Sequence, residues 1–285
     1  MEKLSALEAN AVPSSGPVDF DRTVVLCIGG TDPSGGAGLP ADARAVAAFG
    51  GVACGVVSAI VAQNTRGVAL CEAVSPALFE KQLENVLEDI APAAIKTGLL
   101  PSRAHIEIVA RFCNSLGVPL VADPVFAPSS GERFCAPETV ALLCERLLPR
   151  CALVTPNRAE AETLWGKKIE TEADASVAAR TIRTKFGARA VLLKGGHFAG
   201  DEAVDILATE SGETLLRAPR LNCDVRGTGC QLASAIAAQL ARGTELERAA
   251  LQAKQWLHIA MQNSVAIGGG RNVTRFQVAN FGRNK

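Results

Sequence analysis

Thr23-Val24-Val25-Leu26-Cys27-Ile28-Gly29-Gly30 decides the fold: a short apolar run, β-branched at its start and without polar alternation, stops at a glycine pair. A strand buried on both faces and entering a sharp turn reads this way. Strands of that kind belong to parallel sheets covered by helices on both sides. Working outward, residues 38–49 read as a helix with small residues on its packing face, and 52–62 as a strand or close-packed strand pair. Pro76 suits the first turn of a helix whose apolar stripe is Leu78, Leu83, Val86 and Leu87. Strands at 93–96, 119–122, 152–154 and 190–193 then alternate with helices at 102–116, 137–148, from 158, and at 172–186. Residues 204–208 and 214–217 flank Ser211-Gly212 as an antiparallel hairpin near a sheet edge, and helices at 228–242 and 246–265 close the chain. The series predicts an α/β fold with a mostly parallel central sheet and helices on both faces. It contains no internal repeat or linker, so residues 22–285 are expected to form one domain after a loose extension over residues 1–21.

A length of 285 residues with 48% apolar and 20% charged positions is that of a globular chain with a large core. Lys plus Arg and Asp plus Glu both number 29, so the electrostatic excess of a nucleic-acid binder is missing and a small molecule is the expected partner. The uncharged stretch 45–65 is broken by Gly50, Gly51, Gly55, Ser58, Gln63 and Asn64, which suits a helix end, turn and strand rather than a membrane span. Residues 1–21 lack a basic segment followed by an apolar core, so no secretory signal is expected. Nine scattered cysteines without a CxxC pair read as reduced thiols of a cytoplasmic protein.

In an open parallel sheet, ligands sit beyond the carboxyl ends of the strands, and the loops there carry the chemistry. They read Gly29 to Gly38 (GGTDPSGGAG), Gln63-Asn64-Thr65, Lys96-Thr97-Gly98, Asp123-Pro124-Val125, Thr155-Pro156-Asn157, Lys194-Gly195-Gly196-His197 and Arg226-Gly227-Thr228-Gly229-Cys230. Gly36-Ala37-Gly38-Leu39-Pro40-Ala41 matches the dinucleotide fingerprint only formally, because the strand ends earlier and no acid follows about twenty positions on. Gly227, Thr228 and Gly229 at a helix start form a cradle of backbone amides for an anion such as phosphate. Cys230 lies in the first turn, where the helix dipole is expected to lower the thiol pKa and make it a candidate base; the alternative is a small buried thiol. Asp123, Asn157 and Glu160 offer oxygen ligands to a hydrated magnesium ion and a nucleotide tail, and Lys194 a positive charge for phosphate. Asn157-x-x-Glu160 also has the spacing of a helix capping box. His105 and His258 fall within helices, whereas His197 follows a strand and is a candidate functional residue. Nothing supports a zinc site.

Taken in order, these loops resemble the ribokinase superfamily and, within it, the hydroxymethylpyrimidine/phosphomethylpyrimidine kinases, over about residues 23–276. The resemblance implies a ribokinase-like three-layer sandwich that moves the γ-phosphoryl group of ATP, with Mg2+, to the hydroxymethyl group of an aminopyrimidine and then phosphorylates the monophosphate. It implies that Gln63 binds the aminopyrimidine edge, with Gly30, Ala37, Val61, Leu99 and Val125 around the ring. Asp123, Asn157 and Glu160 would serve magnesium and phosphate, Lys194 the nucleotide, and the 227–229 amides the transferred group. Cys230 stands where many sugar kinases of the superfamily place an Asp base. A homodimer is implied by analogy. The chain departs from the pattern at Pro40, Leu99, Arg226 and Gly270-Arg271-Asn272, and lacks a Lys near Gly268; Arg226 is a candidate for replacing that charge. Pyridoxal or hydroxyethylthiazole kinases, a non-catalytic pyrimidine sensor and an NAD-dependent oxidoreductase are the competing readings.

Overall fold

In the computed structural model the described residues are 23–127, 135–195 and 200–275, so the 1–21 extension and His197 lie outside them. The elements are β1 (Val24–Gly30), α1 (Gly38–Ala48), β2 (Val52–Gln63), β3 (Val68–Ala73), α2 (Pro76–Asp89), β4 (Ala94–Thr97), α3 (Arg103–Leu116), β5 (Leu120–Ala122), α4 (Pro137–Arg146), β6 (Leu153–Val154), α5 (Arg158–Trp165), α6 (Glu172–Phe186), β7 (Val191–Leu193), β8 (Glu202–Ala208), β9 (Glu213–Pro219), α7 (Thr228–Ala241) and α8 (Leu246–Gln262). They build one nine-stranded sheet in the order β3-β2-β1-β4-β5-β6-β7-β8-β9. The run from β2 through β7 is parallel, with Leu26 beside Ile95 and Ile95 beside Leu120. Antiparallel strands finish both edges, including the β8–β9 hairpin expected around Ser211-Gly212.

The opening strand explains the layering. Leu26 and Ile28 enter one core with Phe79, Leu83, Ile106 and Val109, while Val25 and Cys27 enter the opposite core with Val46, Ile236 and Leu257. Alternating side chains on a strand point to opposite faces, so a strand apolar at every position is what two helical layers need. His105 is a packing residue, buried against the Phe79 ring at 4.6 Å. The 45–65 stretch resolves into the end of α1, a turn and β2, a single strand reaching Gln63 rather than a pair. No helix among the described residues is long and apolar enough to cross a membrane.

Two expectations need correction. Strand β3 was not expected: it forms the sheet edge, and exposure of Ala69, Leu70, Glu72 and Ala73 blurs its pattern. The last helix stops at Gln262 instead of 265, because Val265 pairs with Val273 in a bridge that turns the chain back.

Candidate active site

The strand order reverses between β1 and β4: the chain runs outward from β1 to β3, then crosses to β4 and continues the other way. Such a reversal leaves a crevice beyond the strand ends. The loops after β1, β5 and β7 converge there on the start of α7.

Helix α7 begins without a side-chain cap, its N-cap Gly227 in the left-handed region at φ 71°. The first amides of a helix have no intrahelical acceptor, so an uncapped start presents donors and a positive dipole end. A Cβ at Gly227 would overlap the Gly36 carbonyl oxygen, so the β1 loop packs directly on the cradle and requires glycine there. The position a Cβ would take on Gly229 lies 2.9 Å from Lys194 Nζ and 3.7 Å from Asp123 Oδ2. Lys194 donates to Asp123 Oδ1 at 2.7 Å, and Thr155 Oγ1 donates to the same oxygen at 3.2 Å. Burial opposes ionisation of Asp123, but the Lys194 and Lys96 ammonium groups hold its carboxyl below the usual range. Burial likewise works against the charge on Lys194, and Asp123 and Glu160 outweigh it and keep the ammonium protonated.

Asn157 and Glu160 do form a capping box at α5: Asn157 Oδ1 accepts from Glu160 N at 2.9 Å, and Glu160 Oε2 accepts from Asn157 N at 2.7 Å. The pair is a helix cap, and a β-bridge from Asn157 to Lys194 brings this helix start next to the strand end that carries the ammonium. Burial pushes the Glu160 carboxyl up to about 8, with Lys194 opposing and Asp123 adding to the rise. Among the described residues no group of three His, Cys, Asp or Glu side chains forms a metal cage.

Cys230 corrects the sequence reading. Its thiol stands among Lys96, Asp123 and Asp42, and burial pushes it up to about 12, the nearby lysine notwithstanding. Desolvation of a thiolate at this position exceeds what the helix dipole returns. The lowering expected from the helix start is therefore outweighed by burial, which favours the protonated thiol. Iodoacetamide at pH 8 is expected to label Cys230 more than about tenfold slower than it labels glutathione, with labelling rising only toward strongly alkaline pH. Peptide mapping by mass spectrometry reads this, and rapid labelling at pH 7 would overturn it.

The ring residues also come together. A Cβ on Gly30 would lie 3.3 Å from Val61 and 3.4 Å from Leu99, and Val61, Leu99 and Cys135 share an apolar cluster against which Val125 packs. Ala37 N donates to Asp32 Oδ2 at 2.7 Å, at the mouth of the same crevice. Gln63 caps it, Nε2 donating to Thr31 O at 2.9 Å.

Three further residues, Lys96, Asp42 and Arg226, organise the crevice. Lys96 and Asp42 form a buried pair with both carboxylate oxygens at 2.9 Å, and Ser234 Oγ also donates to Asp42. A lone charge inside each of two apolar runs, Ala94-Ile95-Lys96 and Pro40-Ala41-Asp42-Ala43, was the available signal. Arg226, expected to replace a missing charge, is instead held inside the protein by Asp32, Gln63 and Asn64. The altered loop 268–272 packs on the same corner: Gly270 N donates to Thr65 Oγ1, Arg271 N to Thr65 O, and a cleft of about 450 Å³ opens between Arg66 and Asp224.

Residues 32–275 match the family described as phosphomethylpyrimidine kinase. A hydroxymethylpyrimidine/phosphomethylpyrimidine kinase of Rhizobium meliloti (strain 1021) is 41% identical over 254 residues, covering 87% of this chain and 94% of that protein. Phosphomethylpyrimidine kinase of Clostridium difficile 630 superposes with a TM-score of 0.73 at 36% identity, over 83% of this chain and 98% of that one. Pyridoxal kinase of Bacillus subtilis, solved as an ADP complex, gives 0.83 at 28% identity over 89% and 97%. The expected ribokinase-like sandwich is the fold these neighbours share. With residues 32–275 inside the family match and a 41% identical relative covered almost end to end, the chain belongs to the phosphomethylpyrimidine kinase family.

Proposed function

We propose that the chain transfers the γ-phosphoryl group of ATP to the hydroxymethyl group of 4-amino-5-hydroxymethyl-2-methylpyrimidine, then phosphorylates the monophosphate, yielding the pyrimidine diphosphate for thiamine biosynthesis. The observation that carries this reading is the uncapped start of α7 facing the Lys194–Asp123 pair, beside an apolar slot closed by Gln63. Phosphoryl transfer has a loose transition state, so positioning and neutralisation of charge dominate. The 227–229 amides hold charge developing on the transferred group, and Lys194 contacts the nucleotide phosphates. Gln63 reads the amine edge while Gly30, Ala37, Val61, Leu99 and Val125 enclose the ring. The acceptor oxygen bonds to the γ-phosphorus as the bond to the ADP oxygen breaks, its proton passes late to a phosphoryl oxygen, and a protonated Cys230 adds no fixed negative charge where a phosphorylated substrate must enter.

The donor set fits magnesium: Asp123 is a hard carboxylate, and Glu160, raised to about 8 by burial, becomes one when added positive charge offsets that burial. Asp123, Glu160 and the Asn157 region would hold the ion with the nucleotide and water, and the ion would neutralise phosphate charge. Residues 22–285 act as a single kinase domain in this reading. The outward face of the β2–β3 edge, with Ile60 56% and Leu70 62% exposed, supports a homodimer.

A coupled ADP-release assay with the pyrimidine, its monophosphate, pyridoxal and hydroxyethylthiazole tests the assignment. The pyrimidine and its monophosphate are expected to lead in kcat/KM. A pyridoxal preference would favour the second reading, which the Bacillus subtilis likeness supports, and binding without ADP release would identify a sensor.

A further inference from the structure

We propose that Arg226 is a specificity-determining positioning residue: it locks the Gln63 amide in one orientation, and that orientation selects a ring with an amine beside the reacting hydroxymethyl group. The inference rests on the proposed role of Gln63 at the ring edge.

The lock has two sides. Gln63 Nε2 donates to Thr31 O at 2.9 Å, and Gln63 Oε1 accepts from Arg226 Nη2 at 2.5 Å. A carbonyl cannot donate and a guanidinium cannot accept, so rotating the amide by 180° sets oxygen against oxygen and N–H against N–H. Arg226 is itself fixed. Asp32 Oδ2 stands 3.2 Å from Nη2, Nη1 donates to Asn64 O, and its backbone N donates to Asn272 O at 3.0 Å. Its stem fills the space a Cβ on Gly36 would need. The side chain is almost wholly buried, so its charge is paired by Asp32 and little screened.

With one N–H and one lone pair engaged, Gln63 keeps one donor and one acceptor, assigned here to the ring edge. A 4-aminopyrimidine edge offers the matching pair, a ring nitrogen that accepts and an exocyclic amine that donates. Paired amide-to-base contacts of this kind discriminate by tens of fold or more. Pyridoxal carries a formyl acceptor where the pyrimidine carries its amine, so the locked amide meets it with the wrong atom. An amide free to flip would accept either ring. Because Arg226 directly precedes Gly227, the residue that fixes ring reading also borders the anion cradle.

Arg226→Lys keeps a charge for Asp32 but loses the planar fork, and Arg226→Met removes both. Dissociation constants for the aminopyrimidine and pyridoxal, measured calorimetrically without ATP, should show the ratio favouring the aminopyrimidine falling about tenfold or more in each variant. KM for the aminopyrimidine should rise with kcat changed less than threefold, about the scale of a ground-state binding loss. In a cycle with Gln63→Ala, the double variant should bind no worse than Gln63→Ala alone, since Arg226 acts through that amide. Folding is checked by thermal unfolding, and Arg226→Lys carries the test if Arg226→Met does not fold. An unchanged binding ratio in folded Arg226→Lys, or additive losses in the cycle, overturns the inference. Absence of ADP release by the wild type overturns the proposed function instead, while the binding ratio still reads the lock.

Discussion

Replacing Asp42 with alanine lowers the free energy of unfolding by about 3–5 kcal/mol, because it strands the Lys96 ammonium in the interior. The two side chains are 0% and 1% exposed. Burial alone would lower the Lys96 pKa, and Asp42 more than reverses this, so the charge persists only with its partner. Lys96 stands on β4 and Asp42 on α1, so the pair ties the sheet to the helix that follows the DPSGGAG loop. A pair on the surface behaves differently: Lys81 and Glu84, 66% and 44% exposed, contribute about 0–1 kcal/mol. Urea denaturation of Asp42→Ala, Glu84→Ala and the double variant Asp42→Ala with Lys96→Met separates the cases. Most of the loss should return in the double variant, where no charge is left unpaired. A loss below about 1 kcal/mol in Asp42→Ala would show that water reaches Lys96.

This pair also marks the boundary of what could be read beforehand. Periodicity revealed the alternating strands and helices because each element carries its own pattern: β1 is apolar at every position, and α2 has Pro76 at its start with a clean stripe. Loop residues were legible as a set because strand ends in a parallel sheet point one way, which put Asp123, Lys194 and Gly229 within one small volume. Edge strand β3 was not legible, since exposure removes the apolar signature. Pairings across the chain were not legible either: Asp42 with Lys96 and Arg226 with Gln63 join residues 54 and 163 positions apart. Cys230 failed for a related reason. The helix start is a local feature visible in Gly227-Thr228-Gly229, whereas the burial that raises the thiol and the Asp42, Lys96 and Asp123 charges beside it are set by distant parts of the chain.

Gly227→Ala is expected to lower kcat by about 10²–10³, the scale of losing a preorganised donor set for developing charge. The added Cβ would overlap the Gly36 carbonyl oxygen and come within 2.9 Å of Ala37 Cα, and these backbone atoms cannot yield as the end of a flexible side chain could. The start of α7 must therefore shift away from the β1 loop, carrying the amides of Thr228, Gly229 and Cys230 with it. A displacement of this kind changes the transition state more than ring binding, because the amides act on the transferred group whereas Val61, Leu99 and Val125 form an apolar cluster outside α7. The dissociation constant for the aminopyrimidine should consequently change less than about tenfold, a uniform-binding effect small beside the loss in kcat. Gly117→Ala supplies the control: Gly117 has φ 63°, yet nothing lies within 4 Å of the added methyl group. That variant should lose about 1 kcal/mol of stability from backbone strain and keep its kcat. Equal effects of the two substitutions on kcat would mean that the amides of α7 do not carry the transferred phosphoryl group.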